Sequence, residues 1–380
     1  MKRRQFLRYA AAGVAAAGTP PLLGGCGRPV GRAAFPASES ISSLSDRLDP
    51  VSCEMLYLAS LAPSGHNAQP WRVRVQTPDR WRLALDPARR LTIVDPDDRE
   101  ALLSLGAFLE NLAQAGQHHG RPVELAGTGD SADSSVEAVL FVGSSDARAV
   151  DLAALSQRRT LHGPLAPRRL RRADVRDLLL GIPSGEYFPP GTKQADWLDE
   201  AAVEAVRTQV RRAPVMEELS RWIHWDTTAA RTHRVGLTPA GMGIDGLAGW
   251  WTRAFYEPRD VLAEQFAEAT VRKAADEIGS CGGWIVITSP DDEPESLLRA
   301  GRHCERLWLR SRRMDVGIHP MSQALEEAPW REDIAGRLGT EGPVQFLLRV
   351  GYAAEYPAPV SLRLPLEAFV TVNRGSDVTS

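Results

Sequence analysis

Cysteine is scarce in this chain, and neither sign of charge dominates it. Four cysteines occur among 380 residues, and no two of them have the C-x-x-C spacing of zinc-binding or redox pairs. The sequence therefore excludes a disulfide scaffold and a zinc finger. The formal net charge is −3, from 45 basic and 48 acidic residues. Such a balance lacks the positive field with which proteins gather nucleic acid, so no nucleic-acid partner is expected.

Lysine is almost absent. Lys2, Lys193 and Lys273 are the only lysines among the 45 basic residues, so we expect any phosphate group to be bound by arginine. Hydrophobic residues make up 43% of the chain, the level of a folded protein with a core. A chain of this length has room for one large or two ordinary domains.

The N-terminus resembles a bacterial export signal. A basic start is followed by an Ala/Gly-rich apolar stretch and then by small residues, the order found in signal peptides. Arg3 and Arg4 open the string RRQFLR, which resembles the twin-arginine signature. The string LGGC, ending at Cys26, resembles a lipobox. The alternative, a short membrane helix, is disfavoured because the apolar stretch is shorter than the ~20 residues that cross a bilayer.

These patterns predict a signal peptide over residues 1–26 and lipidation at Cys26. The protein would then be an exported lipoprotein of the periplasm or cell envelope, held at the membrane only by its lipid. Residues 27–48 are rich in Gly, Pro, Ala and Ser without sustained periodicity, which predicts a flexible tether. The twin-arginine route implies export of a folded protein, often with a cofactor already bound.

One sequence pattern occurs twice. The pattern LLxxGxxxExL is found at residues 102–112 and again at 297–307, with apolar residues at helical spacing. Apolar runs follow each copy, EAVLFVG at 137–143 and QFLLRVG at 345–351, and both have the character of buried strands. Chance similarity between two amphipathic helices is the alternative, and the trailing strands count against it.

Interleaved helices and strands predict an α+β or α/β protein, for which we adopt α+β. A further strand is expected within residues 282–288. The repeat divides the chain into a first half over 49–150 and a second half over 151–370, followed by a tail over 371–380. An internal duplication commonly reproduces in one chain what a homodimer makes from two, so we predict a monomeric pseudo-dimer.

Residues 63–71 read PSGHNAQPW. Two prolines bracket small and amide residues, which predicts a stiff loop that presents hydrogen-bonding side chains. This string closely resembles the P-S-x-x-N-x-Q-P-W signature of the nitroreductase family of FMN flavoproteins, with six specified positions matched. The resemblance implies the nitroreductase fold, with FMN as cofactor.

Three later segments extend the resemblance in the family's order. Residues 158–162 (RRTLH) resemble the R-R-S-x-R segment that grips FMN, residues 317–322 (GIHPMS) resemble a loop beside the flavin ring, and residues 363–365 (RLP) resemble the segment that meets the phosphate. Two positions depart from the family pattern by losing positive charge, His162 and Ser361. The cofactor-binding residues implied by the resemblance are Pro63, Ser64, Asn67, Gln69, Arg158, Arg159, Thr160, His162, Pro320, Met321, Ser322 and Arg363.

The whole pattern is most similar to the double-length Acg-type branch of the family. The loop lies in the first half and the arginine segments lie in the second, which implies one complete and one degenerate FMN site per chain. Arg158 or Arg159 would face the flavin N1, and Arg363 would neutralise the phosphate. Asn67 and Gln69 would read the ring edge or the ribityl chain, while Ser64 and Thr160 add short hydrogen bonds.

No residue is singled out as a general acid. His162 and His319 are nearest the matched segments, but a lone histidine is more often structural. Residues 221–260 hold several aromatic side chains among glycines, which is typical of a lid, although a packed insertion is an equal alternative. The string GMGIDG at 241–246 lacks the flanking strand of a dinucleotide-binding turn, and the scattered histidines have no metal-ligand spacing.

The sequence therefore predicts an exported, FMN-dependent oxidoreductase that acts on a nitroaromatic, a quinone or a similar small molecule. Typical relatives take electrons from NAD(P)H, which is scarce outside the cytoplasm, so a membrane quinol or redox partner is the expected donor. Two alternatives stay open at this stage. One is a non-catalytic protein that sequesters FMN, and the other is an O₂-dependent flavin-modifying enzyme.

Overall fold

The computed structural model describes residues 30–131 and 134–373. Its strands form two separate sheets, and α-helices make up much of the remaining chain, which confirms the predicted α+β class. The predicted signal peptide, with Arg3, Arg4 and Cys26, lies outside the described residues. None of the described helices is long and apolar enough to cross a membrane.

Nine strands are present among the described residues. They are β1 (Trp71–Thr77), β2 (Arg80–Leu85), β3 (Val123–Ser131), β4 (Ser134–Val142), β5 (Gly185–Phe188), β6 (Trp284–Thr288), β7 (Val316–Pro320), β8 (Val344–Tyr352) and β9 (Val370–Val372). The first sheet has the order β3-β4-β2-β1-β9, and the second has the order β5-β6-β8-β7. Neighbouring strands are antiparallel except β1 and β9, which run parallel.

The α-helices of the described residues lie before and between these strands. They are α1 (Ala37–Ser42), α2 (Pro50–Ser60), α3 (Arg99–His118), α4 (Leu152–Gln157), α5 (Arg172–Leu178), α6 (Lys193–Gln209), α7 (Ala213–Trp222), α8 (Thr227–His233), α9 (Gly246–Phe255), α10 (Glu264–Ile278), α11 (Pro294–Ser311), α12 (Gln323–Glu326) and α13 (Ala328–Leu338).

Local sequence explains several of these boundaries. Helix α2 begins after Asp49, whose carboxylate accepts a hydrogen bond from the Ser52 backbone N–H (3.0 Å), and Pro50 occupies the first helical position, as expected of an N-cap. Strand β1 buries alternate residues, Trp71, Val73 and Val75. That period of two places one face of the sheet against the core.

The two copies of the repeat are helices α3 and α11, and they pack directly on each other. A Cβ atom added at Gly106 would lie 2.9 Å from the Gly301 Cα and closer still to the Leu298 carbonyl oxygen. A Cβ added at Gly301 would lie 3.0 Å from the Gly106 Cα and closer still to the Leu103 carbonyl oxygen. These contacts are reciprocal, residue for residue, so the repeat forms an internal pseudo-twofold pair.

One hydrophobic core spans both halves. It contains buried side chains from α2, α3 and β1 together with others from α11, β7 and β8. Three cysteines, Cys53, Cys281 and Cys304, are buried with free thiols. A second hydrophobic cluster joins side chains of the second sheet, β5-β6-β8-β7, to α6, α10, α12 and α13.

The described part of the predicted tether is folded. Val30 and Leu44 are buried, and residues 37–42 form α1. Arg32 donates hydrogen bonds to the carbonyl oxygens of Ser156 (3.1 Å) and Ser361 (3.3 Å). The expectation of a flexible tether over 27–48 is therefore wrong for residues 30–48, because a few apolar and basic side chains in a small-residue segment are enough to dock it.

The predicted tail also needs correction at its start. Residues 370–372 form β9, which pairs with β1 through Val73↔Val370 and Val75↔Val372. The end of the chain thus returns to complete the sheet of the first half, and Phe369 packs against Phe108 of α3. Residues 374–380 lie outside the described part of the chain.

Replacing Gly301 by alanine is expected to destabilise the fold by about 1–3 kcal/mol, the usual cost of overpacking a core. The added methyl group must push α11 away from the backbone of α3, since the obstructing atoms belong to the main chain. Urea-induced unfolding followed by circular dichroism measures the change.

The matched control for this prediction is Gly336→Ala in the exposed part of α13, where an added Cβ meets nothing within 4 Å. That variant should gain about 0.5–1 kcal/mol from the better helix propensity of alanine. Equal stability of the Gly301→Ala variant and the unmodified protein would contradict the helix contact.

Candidate cofactor site

The Pro63–Trp71 segment is a loop containing one short turn, Gly65–Asn67, before β1 begins at Trp71. His66, Asn67 and Gln69 have φ angles of 49°, 53° and 54°, in the left-handed region that non-glycine residues seldom adopt. The Ser64 carbonyl oxygen accepts from the Asn67 N–H, and the Ser64 hydroxyl accepts from the Gln69 N–H (2.9 Å). Three strained residues within four positions are typical of a functional site held by its surroundings.

The Asn67 amide is buried and fully engaged with the protein. Its Nδ2 donates to the carbonyl oxygens of Gly236 (3.1 Å) and Leu362 (3.3 Å), and its Oδ1 accepts from Arg363 Nη1 (2.8 Å). Gly236 belongs to the predicted lid and Leu362 to the C-terminal segment. Asn67 therefore joins three separate parts of the chain at one point.

Gln69, two residues after Asn67, also joins separate parts of the chain. Its side chain is completely buried. Its Nε2 donates to the Arg234 carbonyl oxygen (2.8 Å), and its Oε1 accepts from the Leu364 N–H (2.9 Å). In this structure both amides, which the resemblance implied would read a flavin edge, have protein partners instead.

Arg158 and Arg363 converge on the end of α2. Arg158 Nη2 donates to the Leu61 carbonyl oxygen (2.8 Å), and Arg363 Nη2 donates to those of Leu61 and Ala62 (3.0 Å each). Both side chains are buried. Cations are stabilised at the C-terminal end of a helix, so α2 helps to hold the two guanidinium groups together although they are far apart in sequence.

A third arginine, Arg32, joins this cluster, and the neighbouring carboxylate is Glu305 of α11. Glu305 lies 3.2 Å from Arg158 Nε and is fully buried. Burial raises the pKa of Glu305 to about 7, against the opposing effect of the Arg158 charge. Burial, followed by the charges of Arg32 and Arg158, lowers the pKa of Arg363 well below its ordinary value.

Positive charge is thus in excess here, with three guanidinium groups facing one carboxyl group that is half-neutral near pH 7. The Nε atom of Arg363 is buried and has no hydrogen-bond partner among the described residues, whereas that of Arg158 has only its ion pair with Glu305. Buried charge is costly without a counter-charge and hydrogen bonds. A phosphate group would supply both, so this cluster fits the anionic end of a nucleotide-like cofactor.

Arg159 binds a different set of groups from Arg158. Its Nη1 donates to the Ala358 carbonyl oxygen (2.8 Å) and its Nη2 to that of Ala240 (3.4 Å), while its backbone N–H donates to the Tyr356 hydroxyl (3.3 Å). The side chain is half-buried, as is that of Thr160. Arg159 therefore ties the predicted lid to the C-terminal segment rather than entering the Arg158 cluster.

His162 lies in a separate polar group around Glu277. The Glu277 carboxylate accepts from the Gly163 N–H (2.7 Å) and from Lys273 Nζ, and it lies 3.3 Å from His319 Nδ1 and 3.9 Å from His162 Nδ1. The two imidazole rings meet edge to face with centroids 4.3 Å apart. The structure thus brings together the two histidines that the sequence left without a role.

Glu277 and the two histidines could approach a metal ion, since their ligand atoms lie within 4.8 Å of one another. Burial, then the adjacent His319, lowers the pKa of His162 well below its ordinary value. Burial alone would raise the pKa of Glu277, but the His319 hydrogen bond and the Lys273 charge lower it. Lys273 already neutralises the Glu277 carboxylate. We therefore interpret Glu277, His162, His319 and Lys273 as an ion-pair network and not as a metal site.

The segment 317–322 is not a loop. Residues 316–320 form β7, antiparallel to β8, because Val316 and Ile318 are buried apolar side chains that fit a strand. Met321 is buried in the second hydrophobic cluster, whereas Pro320 and Ser322 are half-buried. The predicted flavin-facing loop is therefore corrected to a strand end.

Ser322 nevertheless reaches the Pro63–Trp71 loop through two carboxyl groups. Its hydroxyl donates to Glu326 Oε1 (2.5 Å), and Glu326 is hydrogen bonded to Glu100, whose Oε2 lies 3.2 Å from the position of a Cβ on Gly65. Burial and the Glu326 charge raise the pKa of Glu100 to about 7. Sequence inspection missed this pair because its members are 226 positions apart.

The repeat places a second carboxylate, Glu110 of α3, at the position equivalent to Glu305. Glu110 accepts from Arg306 (2.8 and 2.9 Å) and Arg302 (3.2 Å). Burial alone would raise the pKa of Glu110, but these arginines lower it overall. The two equivalent glutamates thus differ in their partners. Glu110 is hydrogen bonded to two arginines of the neighbouring helix, whereas Glu305 is ion-paired with Arg158 of the arginine cluster.

The predicted lid over residues 221–260 lies on the matched segments. Arg234 and Gly236 contact the loop as described, and a Cβ added at Gly243 would lie 2.5 Å from the His162 Cβ. Trp225 is buried against Tyr256. In α9, Trp250 and Phe255 are exposed and Trp251 is half-buried. Two open clefts of about 280 and 290 Å³ lie elsewhere, one beside Arg306 and Arg310 and one on the outer face of β2 and β4.

No family model matches this chain. Curated proteins do resemble it at low identity. "Probable NAD(P)H nitroreductase PigM" from Serratia sp. (strain ATCC 39006) is 23% identical over 334 residues, covering 80% of this chain and 89% of that protein. "Putative NAD(P)H nitroreductase acg" from Mycobacterium tuberculosis (strain ATCC 25618 / H37Rv) is 26% identical over 333 residues, covering 82% and 92%. Both relatives are named as nitroreductases.

Among solved structures, the chain is similar to the FMN-dependent nitroreductase NfnB from Mycobacterium smegmatis, determined in complex with NADPH. The match has 17% sequence identity and a TM-score of 0.36, and it covers 59% of this chain and all of that one. The similarity to the nitroreductase relatives, by contrast, extends through about four-fifths of the chain.

Replacing Glu305 by glutamine should change how stability depends on pH. A carboxyl group whose pKa is raised from 4.5 to about 7 on folding favours the folded state below pH 4.5 and loses that contribution as the pH rises to 7. The Glu305→Gln variant should therefore match the unmodified protein near pH 4.5 and exceed it above pH 7, by up to about 3 kcal/mol.

Denaturant unfolding in phosphate-free buffer from pH 4.5 to 8 measures this difference. The control is Glu110→Gln at the equivalent position of the repeat. Because the pKa of Glu110 is lowered, that variant should be less stable than the unmodified protein at neutral pH. Parallel stability curves for the Glu305→Gln variant and the unmodified protein would show that Glu305 is not buried as described.

Proposed function

We propose that this protein is an FMN-dependent oxidoreductase that passes electrons to a small-molecule acceptor such as a nitroaromatic or a quinone. The observation that carries the proposal is the cluster of Arg32, Arg158 and Arg363 beside the strained Pro63–Trp71 loop. Arg158 and Arg363 are buried, and positive charge is in excess over the one carboxyl group of Glu305. The names of its nitroreductase relatives support the proposal.

In this proposal the cluster binds the FMN phosphate. Arg363 contributes its Nε, which has no hydrogen-bond partner among the described residues, while its other donors keep the loop and the α2 end in place. Arg158 contributes its charge, which in this structure is paired with Glu305 through Nε. FMN, when bound, supplies the redox chemistry through its ring, and the protein supplies position and electrostatics. Arg159 and the residues of the lid would exclude water from that ring.

A proton donor is proposed as well. Glu100 has a pKa near 7 and lies against Gly65 of the loop, so it can hold a proton at neutral pH and release it when charge develops nearby. Its partner Glu326 receives hydrogen bonds from Ser322 and Gln209.

Export and lipid anchoring belong to the same proposal. The RRQFLR and LGGC strings support a twin-arginine lipoprotein, and a membrane quinol is then a more accessible electron donor than NAD(P)H. A second function, sequestration of FMN without turnover, is favoured by one observation. The lid backbone at Arg234 and Gly236 is hydrogen bonded to the buried amides of the loop, and such a lid would admit substrate slowly.

The purified protein is expected to carry about one FMN per chain, or to take it up on reconstitution. Arg158→Ala should lose most of this flavin because it removes a cation from the phosphate site, while Arg158→Lys should retain part of it. Absorbance spectra with flavin counted per chain measure the effect.

The control for flavin binding is Arg176→Ala, at an exposed arginine of α5 that pairs with Asp177. It should bind flavin like the unmodified protein. Thermal unfolding by circular dichroism separates a lost site from a lost fold. Absence of flavin from a folded, reconstituted, unmodified protein would overturn the proposed cofactor.

Turnover distinguishes the enzyme from the sequestering protein. If the enzyme proposal holds, a reduced quinone analogue or NADPH should bleach the bound flavin, and a nitroaromatic or quinone should restore its colour over many cycles. Stopped-flow absorbance measures both steps. Sequestration would be favoured if dithionite reduces the bound flavin but the quinone analogue and NADPH do not, and if neither the nitroaromatic nor the quinone reoxidises it.

A further inference from the structure

Helix α9 presents an apolar stripe to solvent. Leu247, Trp250, Trp251, Ala254 and Phe255 recur at the spacing of one helical face, whereas Gly249 and Thr252 on the opposite side are buried. A surface helix ordinarily shows the reverse arrangement, with its apolar stripe facing the core. We call these five residues the α9 face.

The α9 face is strongly exposed. Leu247 is 87% exposed, Phe255 47% and Trp250 42%, and the nearby Leu262 is 52% exposed. The aromatic rings contact one another, with centroids 5.9 Å apart for Trp250 and Phe255 and 4.3 Å apart for Trp251 and Phe255. A contiguous aromatic patch of this kind marks an interaction surface rather than scattered surface hydrophobics.

The start of the described chain lies beside this helix. Val30, the first described residue, lines one small cavity together with Ala230, Thr238 and Arg253, and Arg253 belongs to α9. Cys26, the predicted lipidation site, is four residues before Val30. Four residues span at most about 14 Å when fully extended. An acyl chain on Cys26 would therefore bring the bilayer surface close to α9.

We propose that the α9 face is a membrane-docking surface that lies in the interfacial layer of a phospholipid bilayer. Tryptophan and phenylalanine are the side chains that favour this layer, and the short distance from Cys26 to Val30 selects a bilayer over other occupants. Docking adds a second attachment to the lipid anchor, which matters because a single acyl chain gives only weak, reversible binding.

The charges nearby indicate what kind of bilayer is required. Arg259 is paired with Glu257, and Asp245 immediately precedes α9, so the surface has no large excess of positive charge. Burial of apolar side chains rather than attraction to anionic lipids would then supply the free energy. Docking should accordingly occur on zwitterionic lipid and resist added salt.

The test uses the full-length protein reconstituted into phosphatidylcholine vesicles whose acyl chains carry bromine, a quencher of tryptophan fluorescence. The unmodified protein should be quenched. Most of that quenching should be lost when both Trp250→Phe and Trp251→Phe are introduced, because phenylalanine keeps the apolar face but removes the reporter. Trp330→Phe, at a partly buried tryptophan packed on the second cluster, should retain the quenching.

A second pair of variants separates docking from anchoring. Leu247→Gln with Phe255→Gln keeps Trp250 and Trp251 and leaves the lipid anchor unchanged. It should nevertheless reduce the quenching of tryptophan fluorescence. Phe141→Gln with Leu180→Gln, which removes one phenylalanine and one leucine exposed elsewhere (48% and 63%), should not. Absence of quenching in the unmodified protein would overturn the proposal, as would quenching that survives Leu247→Gln with Phe255→Gln. A dimer in detergent that this double variant dissociates would instead assign the face to a second copy of the chain.

Discussion

The close contact between α3 and α11 is the constraint on which the rest of this structure depends. Gly106 and Gly301 lie against each other's helix backbone, so neither position has room for a side chain. The two helices carry the core of both halves between the sheets. Because Glu110 and Glu305 each follow their glycine by four residues, the contact also fixes the positions of two buried carboxylates.

From that symmetric start the two sides diverge in charge. Glu110 is saturated by Arg302 and Arg306 from the partner helix, and the positions on α3 that correspond to them are Ala107 and Asn111. Glu305 therefore receives its cations from outside the helix pair, from Arg158 and the cluster at the end of α2. The two equivalent carboxylates of the repeat therefore differ in the source of their cations.

Sequence patterns predicted the repeat, the strands that follow it and the rigid Pro63–Trp71 loop, because periodicity and proline act locally. They failed where a role depends on distant partners. Arg32 lay in an expected tether, and the 317–322 segment became a strand because β8 supplies its hydrogen bonds. Asn67 and Gln69 were expected to face a ligand, yet carbonyl groups more than 160 residues away satisfy them.

By itself, the sequence determined the α+β class, the two glycine-bearing helices and the family resemblance, since each follows from residue types at short spacing. Only the tertiary structure decided that Arg158 and Arg363 meet at one helix end, within reach of the Arg32 charge, and that Glu100 meets Glu326. It also turned the aromatic stripe of α9 toward solvent. The physical reason is that charge balance, burial and pKa are properties of a residue's neighbours in space, and chain folding chooses those neighbours over hundreds of positions.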